Sequence, residues 1–131
     1  MKIRLGVIIM MFGLISSNLK SQHLTPQTIP DSIENVYVKL MHSDSLSSIF
    51  FIAVKQDVKL HKHLNHTETI VILGGKGILT LGDSSFKIKK GQTILIPKGT
   101  VHAVIVIGRK PLTLYSIQAP KFVGKDRVWL N

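Results

Sequence analysis

Three histidines and one carboxylate lie in one short part of the chain, where their residue types and spacing suit metal binding. They are His61, His63, Glu68 and His102. Neutral imidazoles and a carboxylate bind divalent Zn, Fe, Ni, Cu or Mn, and the chain has no cysteine that would favour softer ions. Any one of these residues alone is more typical of a protein surface or of core packing. Taken together, their spacing indicates one metal site, with open coordination positions for a substrate or O2.

Strand geometry shows how the chain could bring these groups together. Residues two apart on a strand face the same side, so His61 and His63 can reach one point. Glu68 follows His63 by five positions, so residues 64–67 must turn before Glu68 returns on the next strand. His102 can join them only from a neighbouring strand.

The rest of the sequence predicts an all-β protein. Short apolar and β-branched runs alternate with turn residues, which is typical of a β-sandwich or barrel, and no segment after residue 21 has a sustained helical period. The predicted strands are Val36–Met41, Ser48–Val54, Val58–His63, Thr69–Leu73, Ile78–Leu81, Phe86–Lys89, Thr93–Ile96, His102–Ile107 and Leu112–Ile117. The polar lead from residue 22 is interpreted as an extended arm, and residues 119–131 as an irregular tail anchored by apolar side chains.

Two motifs resemble those of the cupin family. The first is His61-x-His63-x4-Glu68-x6-Gly75, and the second is Gly91-x5-Pro97-x-Gly99-x2-His102. The resemblance covers roughly residues 36–117. It implies a double-stranded β-helix (jelly-roll) barrel, often dimeric, that holds one divalent metal through His61, His63, Glu68 and His102. Two positions depart from the family pattern without being ligand positions: Lys55 stands in place of a glycine, and Val106 in place of an asparagine.

The same strand parity predicts the surroundings of the metal. An inward Glu68 brings Ile70 and Ile72 with it, and an inward His102 brings Val104 and Val106, so the predicted substrate pocket is aliphatic. Such a wall disfavours reactions that need two tuned carboxylates and leaves metal-centred chemistry.

Two further side chains are weak catalytic candidates. Tyr115 offers a spare hydroxyl, although core packing is the expected role. His66 lies in the turn before Glu68, where we expect a solvated histidine; a hydrogen bond to a ligand, a substrate contact or a role as alternative ligand are the other interpretations.

The N-terminus predicts export. A short basic region precedes an apolar run of eleven residues, Leu5–Ile15, which is shorter than the roughly 20 residues of a membrane-spanning helix. We expect residues 1–21 to be a signal peptide and residues 22–131 to form one domain, periplasmic or secreted, with no stable membrane span after cleavage. An uncleaved membrane anchor is the alternative.

The positive charge is interpreted as a solvated lysine-rich surface. The formal net charge is +10, and cleavage after Ser21 would leave 14 basic and 7 acidic residues. Few aromatic residues lie among the basic ones, so nucleic acid is not an expected partner. A small-molecule ligand or substrate, and possible homodimerisation, are the expected interactions.

The sequence is compatible with two main functions. The first is a metal-dependent enzyme of the dioxygenase or lyase/isomerase type that acts on a small organic molecule. The second is a non-enzymatic module that binds a small ligand, a sugar or a metal; a structural or storage role is a weaker third interpretation.

Overall fold

The computed structural model describes residues 23–25 and 27–130. The predicted signal peptide, residues 1–21, lies outside the described residues. Within the described part of the chain, no helix is both long and apolar enough to cross a membrane.

In the described part of the chain, ten strands form two five-stranded antiparallel sheets. The strands are β1 Val36–Ser43, β2 Ser48–Val54, β3 Asp57–His63, β4 Thr67–Gly74, β5 Lys76–Leu81, β6 Ser84–Lys89, β7 Thr93–Ile96, β8 His102–Val106, β9 Leu112–Ala119 and β10 Arg127–Trp129. One sheet has the order β1-β2-β9-β4-β7 and the other β10-β3-β8-β5-β6. This is the predicted all-β jelly-roll arrangement, and β1 to β9 correspond to the nine predicted strands.

Alternating side chains on β4 and β9 place the core between the two sheets. Every second residue of β9 from Leu112 to Gln118 is buried, and β4 alternates in the same way from Glu68 to Ile72. The apolar members of this face meet residues of the opposite sheet such as Leu79 and Ile88. The polar members lie at one end of the barrel interior, so the same alternation that builds the core also turns polar groups inward.

Gly75 carries the chain from one sheet to the other between β4 and β5. Its φ is +76°, a left-handed conformation that costs other residues about 1–2 kcal/mol. A Cβ at this position would lie 2.3 Å from the carbonyl oxygen of Pro111. Glycine is therefore required at this crossing both by conformation and by space.

The C-terminal tail differs from the prediction. Residues Arg127–Trp129 form β10, which pairs antiparallel with β3, so the prediction of a wholly irregular tail was wrong. The strand is only three residues long, and its register is set by a partner more than sixty positions earlier in the chain. A pattern this short carries no detectable period.

Candidate metal centre

The structure brings the four predicted ligands together across the barrel. His61 and His63 on β3 and His102 on β8 lie in one sheet, and Glu68 on β4 faces them from the other. All four are at most 6% exposed. The three histidines offer nitrogen atoms within 4.8 Å of one another.

Strand pairing and one turn set these positions. His61 pairs directly with His102 between β3 and β8. Residues 64–66 form the loop that returns the chain to Glu68, the second residue of β4. The amide of Gly99, in the turn before β8, donates to the carbonyl oxygen of His63 at 2.6 Å. Gly99 has a φ of +77°, so the turn that glycine permits also ties β3 to the start of β8.

Backbone carbonyls select the tautomer of two histidines. Nδ1 of His61 lies 2.8 Å from the carbonyl oxygen of Lys59, and Nδ1 of His102 lies 2.9 Å from that of Thr100. A carbonyl oxygen can only accept, so Nδ1 carries the proton in both rings. In the neutral form of each ring, Nε2 is then left with a lone pair, which is the form that binds a metal.

The donor spacing fits a single ion. Nε2 of His63 and Nε2 of His102 each lie 3.3 Å from Oε2 of Glu68. Two donors that bind one ion through bonds of about 2.1 Å lie about 3.0–3.4 Å apart, depending on whether the geometry is octahedral or tetrahedral. Nε2 of both rings is buried without a hydrogen-bond partner, and such orphaned atoms are rare unless a ligand satisfies them. The residues present therefore fit a divalent metal.

The groups around Glu68 hold it in its ionised form. Burial raises the pKa of this carboxyl group, but the close contacts with His102 and His63 and the hydrogen bond from Ser116 outweigh burial and bring the pKa below its ordinary range. The Ser116 hydroxyl donates to Oε1 of Glu68 and accepts from Gln118 at 3.3 Å. Oε2 is thus left to face the histidines as an anion.

His61 is held neutral. Burial is the largest cause that lowers the pKa of His61 to about 4, and the charges of His102 and Arg127 act in the same direction, while the bond to the Lys59 carbonyl opposes them. At neutral pH its Nε2 is consequently unprotonated, as a metal ligand requires.

A second buried cluster lies directly behind His63. Asp126, in the C-terminal segment, places Oδ2 3.3 Å from Nδ1 of His63, without the geometry of a hydrogen bond. The same carboxylate bonds to Nδ1 of His66 and accepts the amide of Asn65 at 2.7 Å. Burial raises the pKa of Asp126, but the bonds from His66 and Asn65 bring it below its ordinary value. The negative charge beside Nδ1 of His63 favours a proton on that nitrogen and leaves Nε2 to face Glu68.

His66 is not the solvated turn residue that the sequence suggested. It is 1% exposed, and Nε2 lies 3.1 Å from the carbonyl oxygen of Lys121 while Nδ1 contacts Asp126. Both partners are acceptors, so the ring is fixed between the Asp126 carboxylate and the Lys121 carbonyl, with each ring nitrogen facing one of them. The prediction of a solvated histidine was wrong because its partner lies sixty residues later.

Comparison with known sequences places this site in a family. Residues 48–118, which run from β2 almost to the end of β9, match the family described as the cupin domain. The chain belongs to the cupin family. The predicted resemblance and fold class are therefore confirmed, and the ligand set lies on the strands that the two motifs span.

Two relatives in sequence and one solved structure illustrate the similarity. This cupin is 40% identical over 67 residues, 51% of the chain, to an uncharacterized protein of Methanocaldococcus jannaschii and spans about half, 54%, of that protein's length. It is 33% identical over 97 residues, 74% of the chain, to an uncharacterized protein of Aquifex aeolicus and spans 79% of it. A solved double-stranded β-helix protein from Klebsiella pneumoniae aligns with a TM-score of 0.68 at 17% identity, covering 79% of this chain and 90% of that one. The last comparison supports the fold alone.

The cavity beside the ligands is small and mostly apolar. Its volume is about 70 Å³, and His61, Glu68 and His102 lie in its wall. Of the predicted pocket residues, Ile70 and Val104 line it. Ile72 is fully buried in the core and Val106 packs against that core, so neither belongs to the wall. Parity placed all four side chains inside the barrel, but depth along the barrel axis decides which of them reach the cavity.

Tyr115 lies away from the site. It alternates with the buried Leu114 and Ser116 on β9, so its side chain points to the other face of the sheet. Its hydroxyl donates to the carbonyl oxygens of Leu24 and Thr25 in the N-terminal arm, each at 3.3 Å. The ring packs edge-on against Phe51. Tyr115 therefore packs on the outer face of the sheet against the N-terminal arm, not in the core as expected.

Proposed function

We propose that this cupin is a metal-dependent protein that acts on a small organic molecule by metal-centred chemistry of the dioxygenase or lyase/isomerase type. The observation that carries the proposal is the convergence of the three histidines and Glu68, with Nδ1 of His61 and His102 bonded to backbone carbonyls. A divalent metal held by these four residues would supply Lewis-acid or O2 chemistry through its open positions.

The chain's own residues define what surrounds the reaction. The hydrogen bond from the Ser116 hydroxyl helps to keep Glu68 ionised. The aliphatic side chains of Ile70 and Val104 in the cavity wall would exclude water from a small bound molecule. Low dielectric around the site strengthens every electrostatic contact that the ligand makes there.

Elemental analysis of purified variants tests the metal site. We expect about one divalent metal per chain in the wild type, and loss of stoichiometric metal in His61→Ala and in His102→Ala. His66→Ala is expected to retain metal at saturation because His66 lies outside the group of His61, His63 and His102, although it shares a second cluster with His63 and Asp126. His42→Ala is the matched control, since His42 is a partly exposed histidine whose ion-pair partner is Asp44. Circular dichroism checks that each variant is folded, and stoichiometric metal in both the His61 and His102 variants would contradict the proposal.

A ligand-binding module is the second candidate, and the composition of the cavity wall favours it. Besides the proposed ligands, the only ionisable group in the wall among the described residues is Arg127, which cannot act as a general base at neutral pH. Protein loaded with Fe(II) or Mn(II) that consumes no O2 with a broad panel of phenols and diketones, and converts none of them, would favour this module over the enzyme.

We also propose that the protein is exported, from the basic and apolar N-terminal sequence alone. Cell fractionation and mass spectrometry of the full-length gene product test this: a shortened chain outside the cytoplasm is expected, and an intact cytoplasmic chain would contradict it. Homodimerisation stays a prediction.

A further inference from the structure

Arg127 lies at the mouth of the metal cavity. It begins β10 and pairs in register with His63 on β3. The cavity wall includes Arg127 together with His61, Glu68 and His102. An exposed arginine therefore reaches the same small space as the proposed metal ligands.

No carboxylate of the described residues neutralises this arginine. Across residues 23–25 and 27–130, no aspartate or glutamate oxygen forms a salt bridge with Arg127. Its guanidinium carbon instead lies 5.3 Å from the centre of the Trp129 ring. Stacking on an indole orients an arginine while leaving its hydrogen-bond donors free. The Trp129 ring in turn lies 5.2 Å from the ring of His61, so the stacked pair borders the proposed metal ligands.

The remaining wall limits what this charge can bind. Apart from these polar groups, aliphatic side chains such as Ile52, Leu79 and Val104 form most of the lining. A ligand that matches both features has one anionic group and a short apolar body. A carboxylate matches the planar fork of a guanidinium through two parallel hydrogen bonds.

We propose that Arg127 selects small carboxylic acids as the ligands of this cavity, binding the carboxylate while the apolar body lies against the aliphatic wall. A second oxygen on such a carboxylic acid, as in a 2-oxo acid, would face the side chains of His61, Glu68 and His102. This inference rests on the proposed function for the role of the metal, but the contact with Arg127 itself does not require a metal.

Calorimetric titration with 2-oxobutanoate tests the proposal, and 2-oxobutanamide serves as its uncharged counterpart. Both are titrated into the Zn-loaded and the metal-free full chain. We expect the wild type to prefer the acid to the amide, and Arg127→Gln to weaken binding of the acid roughly 10- to 100-fold, the usual value of a hydrogen bond to a charged group. Arg127→Lys should recover part of the loss, because it restores the charge without the fork.

Lys125→Gln is the matched control. Lys125 is an exposed cation two residues earlier on the same segment. It lines a neighbouring groove formed with Phe122 and Trp129, which Arg127 also borders, but it is absent from the cavity wall. It should leave the affinity for the acid unchanged, which separates a specific contact from general positive charge.

Several results would overturn the proposal. The first is that wild type and Arg127→Gln bind the acid with equal affinity, and the second is that the wild type binds acid and amide equally. The third is that the wild type binds no short 2-oxo acid. The fourth is that methyl phosphate, titrated in the same way, binds the wild type more tightly than the acid does. Failure of the proposed function is distinguishable, since it would appear as absence of metal in the wild type, while dependence of binding on Arg127 can still be measured on the metal-free protein.

Discussion

Asp126→Asn is expected to weaken both the fold and the metal site. In the wild type, one buried carboxylate pairs with His66, accepts the amide of Asn65 and places its charge beside His63. Asparagine keeps an oxygen for the Asn65 amide. It loses the negative charge, however, and can place an N–H group opposite His66.

The size of the effect follows from burial. Asp126 is 3% and His66 1% exposed, so the pair is removed from water. Breaking such a pair by changing one partner costs about 3–5 kcal/mol. Because the Asn65 bond survives, we expect a loss near the lower end, about 3 kcal/mol, with a larger loss for Asp126→Ala. Residues that orient a metal-binding histidine by a hydrogen bond typically contribute about 10- to 100-fold to metal affinity. Because Asp126 acts on His63 through its charge and not through a hydrogen bond, we expect a reduction of Zn affinity near the lower end, about 10-fold.

Two measurements separate these effects. Urea unfolding of the metal-free protein measures the free energy of unfolding, and competition with a chromophoric chelator measures Zn affinity in the folded protein. Asp83→Asn is the control: Asp83 is an exposed aspartate in the turn between β5 and β6. If the Asp126→Asn variant has the same urea midpoint as the Asp83→Asn control, the buried pair of Asp126 and His66 does not contribute to stability and the reasoning is refuted. Reduced stability with unchanged Zn affinity would refute the role of Asp126 in orienting His63.

Two further predictions concern pH and the crossing between the sheets. The metal-free protein should lose stability as the pH falls from about 6.5 to about 4. The pKa of His61 drops from 6.5 to about 4 on folding, so the unfolded chain binds more protons than the folded protein in this window. The pKa of Glu68 lies below its ordinary 4.5, so its protonation adds to the loss of stability at still lower pH. Urea unfolding at a series of pH values should give a shallower slope for His61→Gln over this window, and an unchanged slope would contradict the assignment. Gly75→Ala should destabilise the protein by more than the roughly 1–2 kcal/mol of a left-handed alanine, because its Cβ would also meet the Pro111 carbonyl. Gly82→Ala, at a φ of +56° with open space around it, should lose only the conformational part, so equal losses in urea unfolding would show that the close approach at Gly75 does not matter.

Much of the fold was readable from the sequence because strands and turns are local. β2 and β4 are rich in β-branched and aromatic residues, and glycines occur where the backbone must turn. Strand parity also predicted correctly that His61 and His63 share a face and that Glu68 returns after a turn, since both follow from a period of two.

The groups around the ligands were not readable in the same way. Asp126 gave only one signal, as a lone acid in an otherwise basic and apolar tail, and nothing local connects it to His66. Arg127 and Trp129 enclose a short alternating pattern that could have suggested a strand, but three residues are too few to distinguish a strand from a loop.

The sequence by itself determined the type of fold, the identity of the four converging residues and the side of each strand that they occupy, because residue type and alternation are properties of the local chain. Only the tertiary structure decided which atoms meet. It set Glu68 against His63 and His102 of the opposite sheet, buried His66 against Asp126 and brought Arg127 to the mouth of the cavity. Each of these contacts joins residues that are distant along the chain or lie in different sheets, and the pairing that brings them together is favoured by the burial of the whole core rather than by any local preference.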